Sequence, residues 1–283
     1  MINAFSVDLE YWWSNEFLKG HQFEKNPNHI FQSTNKLLEL LDRYNTKATF
    51  FVLGSVAREF PELVEKIYQE GHEIASHGCS HKPVYQMDQV GFEDEVKKSV
   101  KTIYKITGEK PRGFRAPSFS INNDTRWAFD VLEKYKFKYD SSIFPIKTML
   151  YGLPNAPLGI YRPSKDDLNK DDPDGKLLEF PMSVMRVLGK NIPLAGGFYL
   201  RTIPSWFLKA GLKKINKTRP FITYIHPREI DPDIPVVNMP WKDKFIVYNG
   251  VNSTLKKLDV LLKNFKFTSI EEVLVQNGLL GQG

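Results

Sequence analysis

What most restricts the fold of this chain is a rhythm. Short apolar runs rich in β-branched and aromatic residues alternate with longer amphipathic stretches. Ile2 to Val7, Ala48 to Leu53, Glu73 to Ser76, Gly113 to Arg115 and Phe137 to Tyr139 read as strands. Between them, helices are expected over Ile30–Tyr44, from Pro61 to Glu70, over Phe92–Thr107 with Gly108 at a C-cap position, and over Asp124–Lys134 opened by Asn123. Strand, helix, strand in this order calls for an α/β fold with a parallel sheet, closed into a barrel. From Ser141 to Gly197 the rhythm breaks into Pro-, Gly- and Asp-rich sequence, expected to be an insertion with β-hairpins around Leu178–Met182. It resumes with a helix from Pro204 to Ile215, a strand from Phe221 to Ile225, a helix from Ser253 to Leu262 and a closing segment, Phe267–Val275. No internal repeat or long linker interrupts the chain, so one domain over residues 1–283 is expected, with the insertion at about 141–197.

Composition narrows the class. At 283 residues and 41% hydrophobic content the chain can bury a sizeable core. The charge of +6 is spread along the sequence except for the dense run Lys209–Arg219, which suits a solvated surface and gives no reason to expect nucleic acid as a partner. Cys79 is the only cysteine, so an intrachain disulfide is impossible. The N-terminus has no basic, apolar leader, and no run approaches the roughly 18 apolar residues of a membrane span. A cytoplasmic protein without a transmembrane segment is expected.

Ionisable residues gather at one kind of position. Asp8 and Glu10, His77 and His81, Arg115, Asp140 and His226 all end or follow an expected strand, and strand C-termini of a parallel barrel meet at one mouth. In Gly71-His72-Glu-Ile-Ala-Ser-His77-Gly-Cys-Ser-His81, two histidines four apart can face the same way on a helical turn and offer two imidazoles to one metal. They can equally be a hydrogen-bonding loop pair. A zinc-like ion needs a further, preferably anionic ligand. Asp8 and Glu10, at i and i+2, point the same way from an extended strand, and one can bind metal while the other takes a proton from bound water. His226 can be a third imidazole ligand or a general acid, and Arg115 can hold a carboxylate. Asp140 can orient His226 or bind substrate. Cys79 reads as a buried inert thiol, and Tyr11, Trp12 and Trp13 can stack on a sugar ring or simply pack.

Taken in order, Val7-Asp8-Leu9-Glu10, Ala48-Thr-Phe-Phe-Val52, Gly71 to His81, Arg115-Ala-Pro117, Tyr139-Asp140-Ser-Ser142 and Ile225-His226-Pro227 resemble the motifs of the polysaccharide deacetylase family, the NodB-homology or carbohydrate esterase family 4 enzymes. The resemblance covers roughly residues 1–230. The tail from Tyr248 onward looks like the branch linked to bacterial surface and exported polysaccharides. The resemblance implies a distorted (β/α) barrel and metal-dependent removal of an acetyl group from an N-acetylated sugar. It further implies Asp8 as general base, and Glu10, His77 and His81 as ligands of one divalent ion, Zn²⁺ first, with Co²⁺, Ni²⁺ or Mn²⁺ as alternatives. His226 becomes the general acid, Arg115 orients Asp8, and Asp140 sits behind the acid or near substrate. A backbone N–H between Arg115 and Ser118 would steady the developing oxyanion, and Pro117, Ser118, Gly197 and Tyr199 would line the substrate groove. Two departures stand out. The usual adjacent Asp-Asp is here Asp8-Leu-Glu10, and the usual tyrosine after Arg-x-Pro is Ser118. A hydrolase of cyclic imides, allantoin-like ureides or formamides is the enzymatic alternative; an inactive carbohydrate-binding protein is the non-enzymatic one.

Overall fold

The computed structural model describes residues 1–148, 151–194 and 196–281. The first part is the expected alternation: β1 (Ile2–Leu9), α1 (Asn28–Arg43), β2 (Thr49–Val52), α2 (Gly54–Glu59), α3 (Pro61–Gln69), β3 (Glu73–Ser76), α4 (Gln89–Thr107), β4 (Gly113–Phe114), α5 (Ala128–Lys134) and β5 (Tyr139–Asp140). The remainder holds β6 (Leu178–Glu179), β7 (Val184–Val187), β8 (Lys190–Pro193), α6 (Gly197–Thr202), α7 (Ser205–Ile215), β9 (Ile222–Ile225), α8 (Trp241–Tyr248), α9 (Thr254–Asn264), β10 (Lys266–Thr268) and α10 (Ile270–Gln276).

Local chemistry sets these limits. The Asp88 carboxylate accepts from the Gly91 N–H at the start of α4, and Gly108 ends that helix at φ 75°, a left-handed conformation glycine adopts without strain. Pro61 opens α3 at its first turn. On α1, Ile30, Leu37, Leu38, Leu40 and Leu41 form the buried stripe. The short helix α2 was not expected, and Asn123 opens only a single 3₁₀ turn ahead of the shorter α5.

The strands form a curled, wholly parallel eight-stranded sheet ordered β10-β1-β2-β3-β4-β5-β6, with β9 also paired to β1. This is the distorted (β/α) barrel expected, but among the described residues its two ends are not laced by a backbone ladder. Side chains bridge the seam: the Ile222 N–H donates to Ser183 Oγ (2.8 Å), and Arg219 Nη2 donates to the Val184 carbonyl (3.0 Å). Residues 178–179, expected in a hairpin, are a parallel strand against β5. The antiparallel hairpin is β7–β8, just downstream.

Strand parity decides what the curl encloses. Ala4, Phe51, Ala75, Tyr139, Leu178, Ile222 and Tyr224 pack together inside it, while Phe5, Val7, Phe50, Val52 and Ile74 face the outer helices. Counting in twos from the inward residues carries Ser6, Asp8 and Glu10, then His77, Arg115, Ser141 and His226, to the inner face at one mouth. No helix of the described residues is long and apolar enough to cross a membrane.

Candidate active site

At that mouth Asp8, Glu10, His77, His81 and His226 surround a cavity of about 130 Å³. Its walls come from Ser14 to Phe17, from Ser118 and Phe119, and from Gly197, Phe198, Arg201 and Arg228. All five ionisable residues are largely buried, with Asp8 only 2% and Glu10 3% exposed, so their charges depend on one another more than on water.

Glu10, His77 and His81 converge. One ligand atom from each lies within 4.8 Å of the other two. Glu10 Oε2 is 2.5 Å from His81 Nε2 and 3.7 Å from His77 Nε2, yet it is buried without a hydrogen bond. His77 Nδ1 lies 2.8 Å from the Arg115 carbonyl, which fixes the proton on Nδ1 and leaves the Nε2 lone pair facing Glu10. Lone pairs brought together around a point, with the outer nitrogen of an imidazole tied to a carbonyl, are the arrangement of a metal ligand set. Two imidazoles and one carboxylate with a side open to the cavity fit a divalent ion. Burial raises the affinity of Glu10 for a proton. The imidazoles that face it, His81 and His226 first and then His77, outweigh it and hold this carboxyl well below the usual range.

The two histidines do not meet by helical spacing. Residues 77–81 form a loop after β3, and His81 takes a left-handed backbone (φ 62°) that turns its ring back toward His77, with ring centroids 5.5 Å apart.

Asp8 is pinned from one side. Arg115, fully buried, donates from Nη1 to Asp8 Oδ1 (2.5 Å) and to Ser6 Oγ (3.0 Å), from Nε to the Ser141 carbonyl (3.0 Å) and from Nη2 to Ser141 Oγ (3.1 Å). Its guanidinium also lies over the Phe51 ring at 4.0 Å. This leaves Asp8 Oδ2, 3.8 Å from His226 Nε2.

His226 is held by a residue that the sequence reading missed. Glu229 Oε2 accepts from the His226 backbone N–H and lies 3.1 Å from its Nδ1, while Glu229 Oε1 accepts from Arg201 Nε at 3.0 Å. Burial opposes ionisation of Glu229, but His226, Arg201 and Arg228 outweigh it and push its pKa far down. The readable signal was the i, i+3 spacing in His226-Pro-Arg-Glu229, a capping box across the 3₁₀ turn Pro227–Ile230.

Asp140, expected beside His226 or the substrate, lies elsewhere. It has the opposite parity to Tyr139 and is the register partner of Glu179 on the outer face of the sheet. Its oxygens accept from the Ser142 N–H (3.1 Å) and hydroxyl (2.6 Å), and Ser142 Oγ in turn accepts from the Ala116 N–H (2.7 Å). That amide is therefore not available as an oxyanion donor. Burial drives both carboxyls up, and the Asp140 charge adds to the rise at Glu179.

Of the expected groove residues, Ser118 and Gly197 line the cavity. Ser118 (φ 55°) donates to Glu16 Oε1 at 3.0 Å. A Cβ on Gly197 would come within 3.0 Å of the Tyr224 hydroxyl, so glycine lets this segment close against the sheet. Pro117 and Tyr199 sit behind the wall. Tyr199 shares a hydrogen bond with Tyr151, and Tyr151 is the residue that reaches the cavity. Tyr11 and Trp13 stack on each other (4.6 Å, 8°), and Trp12 is buried against Phe23, so these rings pack. Cys79 is buried, with Arg58 Nη1 donating to its sulfur at 3.3 Å.

A curled parallel sheet bearing two histidines and a carboxylate at its C-terminal mouth has the architecture of the NodB-homology hydrolases. Comparison with known proteins agrees. The family described as "Polysaccharide deacetylase" matches residues 22–139, and "Domain of unknown function (DUF3473)" matches residues 141–275. The chain thus joins a polysaccharide deacetylase (NodB-homology) domain to a DUF3473 segment. It is similar to the peptidoglycan deacetylase of Helicobacter pylori, 37% identical over 108 residues, which are 38% of this chain and 36% of that protein. It is similar also to the peptidoglycan-N-acetylglucosamine deacetylase of Bacillus cereus, 34% identical over 107 residues, 38% of each protein. The chain spans less than two-fifths of the length of these curated relatives. Among solved structures, Puue allantoinase shares the fold (TM-score 0.62, 15% identity, 99% of this chain and 92% of that one).

Proposed function

We propose that the chain is a metal-dependent amidohydrolase that removes the acetyl group from an N-acetylated sugar of a bacterial surface polysaccharide or its precursor, and that residues 1–283 act as one catalytic unit. The observation that carries this reading is the convergence of Glu10, His77 and His81 between a carboxylate held by Arg115 and a histidine held by Glu229. Glu10, His77 and His81 would hold a divalent ion, Zn²⁺ by the softness of two imidazoles. When bound, it acidifies a water and polarises the amide carbonyl.

The protein's own groups divide the proton work. Asp8 accepts the proton of the attacking water on Oδ2, the oxygen that Arg115 does not occupy. His226, with Nδ1 committed to Glu229, presents Nε2 to the cavity and gives its proton to the departing sugar nitrogen, so acetate and a free amine leave. Arg115 and Glu229 fix where these two groups point, which is the positional control that acid–base transfer requires. The peptidoglycan deacetylase names of the relatives supply the substrate class. The likeness to an allantoinase is one of fold and leaves ureides as the competing substrate.

The test is a substrate panel with purified, Zn²⁺-loaded protein. Acetate release from N-acetylglucosamine oligomers, with none of allantoin or hydantoin consumed, is the expected result. Turnover of the cyclic compounds alone would overturn the sugar reading. Failure to take up any divalent ion would overturn the mechanism.

A further inference from the structure

Three arginines lie at this mouth, and they differ in one respect. Arg115 and Arg201 spread their donors over several acceptors: Arg115 over Ser6, Asp8 and Ser141, and Arg201 over Glu229 and the carbonyls of Ile246 and Asn249. Arg228 is also buried, at 8% exposure, and lines the cavity, yet among the described residues its Nε and Nη1 have no hydrogen-bond partner. The carboxylate that approaches it is Glu10, whose Oε1 is 3.9 Å from Arg228 Nε, beyond hydrogen-bonding range, and Glu10 belongs to the metal cluster.

A guanidinium keeps its proton under all ordinary conditions, so it cannot escape the cost of burial by becoming neutral. Buried donors of this kind normally have acceptors, and an exception needs an explanation. The backbone of Arg228 is held inside the 3₁₀ turn Pro227–Ile230 that the His226–Glu229 capping box closes, one residue from the carboxylate that orients the acid. The turn thus roots a buried guanidinium with unused donors beside the reacting centre.

From this geometry we infer that Arg228 is a specificity residue that takes an anionic oxygen pair, a carboxylate or a phosphate, carried by the N-acetylated sugar next to the acetamide that is cleaved. The inference rests on the sugar-deacetylase reading above. Planar two-oxygen anions match the guanidinium fork, whereas a neutral sugar offers only hydroxyls there and leaves the charge poorly compensated. The preferred substrate is then an acidic amino sugar, such as one bearing a lactyl ether or uronic carboxylate, or a sugar phosphate, rather than plain N-acetylglucosamine.

The test uses the full chain loaded with Zn²⁺ and two pairs, each an anionic sugar beside its neutral counterpart: an N-acetylmuramic acid disaccharide with its methyl ester, and N-acetylglucosamine 1-phosphate with N-acetylglucosamine. Wild type is expected to favour an anionic sugar over its neutral counterpart by roughly 10- to 100-fold in kcat/KM. Whichever anion is preferred identifies its source. Arg228→Gln should bring that ratio to about one, and Arg228→Lys, which keeps the charge without the fork, should fall between. A wild-type ratio near one overturns the inference. So does an equal loss on every substrate in Arg228→Gln, which would mean that the arginine acts on the shared amide. Calorimetric binding of the same compounds separates the two readings. Saturable binding of the anionic sugar that is lost in Arg228→Gln, with no acetate released from any substrate, would uphold the anion site while sinking the deacetylase. A melting temperature that does not drop shows that the variant still folds.

Discussion

Residues 1–139 supply the cavity with groups at or just past strand ends: Asp8 inside β1 and Glu10 after it, His77 and His81 in the loop after β3, Arg115 after β4. Residues 141–275 supply His226, the proposed proton donor, which also follows a strand but owes its orientation to two further side chains, Glu229 and then Arg201. In the proposed mechanism the first half thus brings the metal ligands and the base, aimed mostly by backbone register and a short loop. The second brings the proposed acid, aimed by a relay of charges. Groups of the first kind should fail outright when altered, and groups of the second should be tunable.

Removing a ligand tests the first half most severely. His77→Ala or Glu10→Gln should abolish stoichiometric Zn²⁺ uptake, read by metal analysis, and turnover with it. Retention of one ion per chain in both variants would show that this cluster is not the metal site. Next in size is Asp8→Asn, which keeps an acceptor for Arg115. We expect turnover to fall by about 10³-fold with metal content unchanged. A variant as active as wild type would remove Asp8 from the role of base.

In the second half the effect should be smaller and of another kind. Glu229→Gln should lower kcat by roughly 10- to 100-fold with metal content unchanged, because a neutral amide holds the His226 Nδ1–H more weakly than a carboxylate does. An unchanged kcat would make Glu229 a packing residue only.

The smallest effect contrasts this mouth with the opposite end of the sheet. There Glu73 is half-buried and accepts from Thr49, Tyr139 and the Glu271 N–H. Burial outweighs those bonds and raises its pKa from 4.5 to about 7. The folded state therefore binds a proton that the unfolded chain has released between these values. The stabilising effect is complete below about pH 4.5 and lost as pH rises through 7. Chemical denaturation of wild type at pH 5 and pH 8 should show this loss, at most about 3 kcal/mol, and Glu73→Gln should flatten it. An unchanged pH slope in that variant would assign the dependence to other groups.

Much of this arrangement was legible in the sequence because strand parity is a strict rule. Once Ile2–Val7 and Phe221–Ile225 read as strands, Asp8 and His226 had to emerge at the same end. The same rule, applied one residue further, would have excluded Asp140, since it alternates with the inward Tyr139. What periodicity could not show were partners across the seam. Glu179 lies almost forty residues after Asp140, in a stretch whose Pro, Gly and Asp content hid a two-residue parallel strand. Nor does sequence spacing reveal the left-handed backbone of His81, which brings it to His77 by a reversal and not by a helical turn. Arg228 looked unremarkable because its distinguishing property, a lack of partners, exists only in three dimensions.

Arg115 carries a consequence for how such a site persists through mutation. It is fully enclosed, and Asp8 is the carboxylate that neutralises it. A change that discards Asp8 without leaving an acceptor would strand a buried cation, at a cost of roughly 3–5 kcal/mol, a large share of the stability of an ordinary domain. The acidic group proposed as the base is thus guarded twice. Selection on turnover acts on it directly, and selection on soluble, folded protein acts through Arg115. A lineage that replaced Asp8 by an apolar residue would need to lose Arg115 with it.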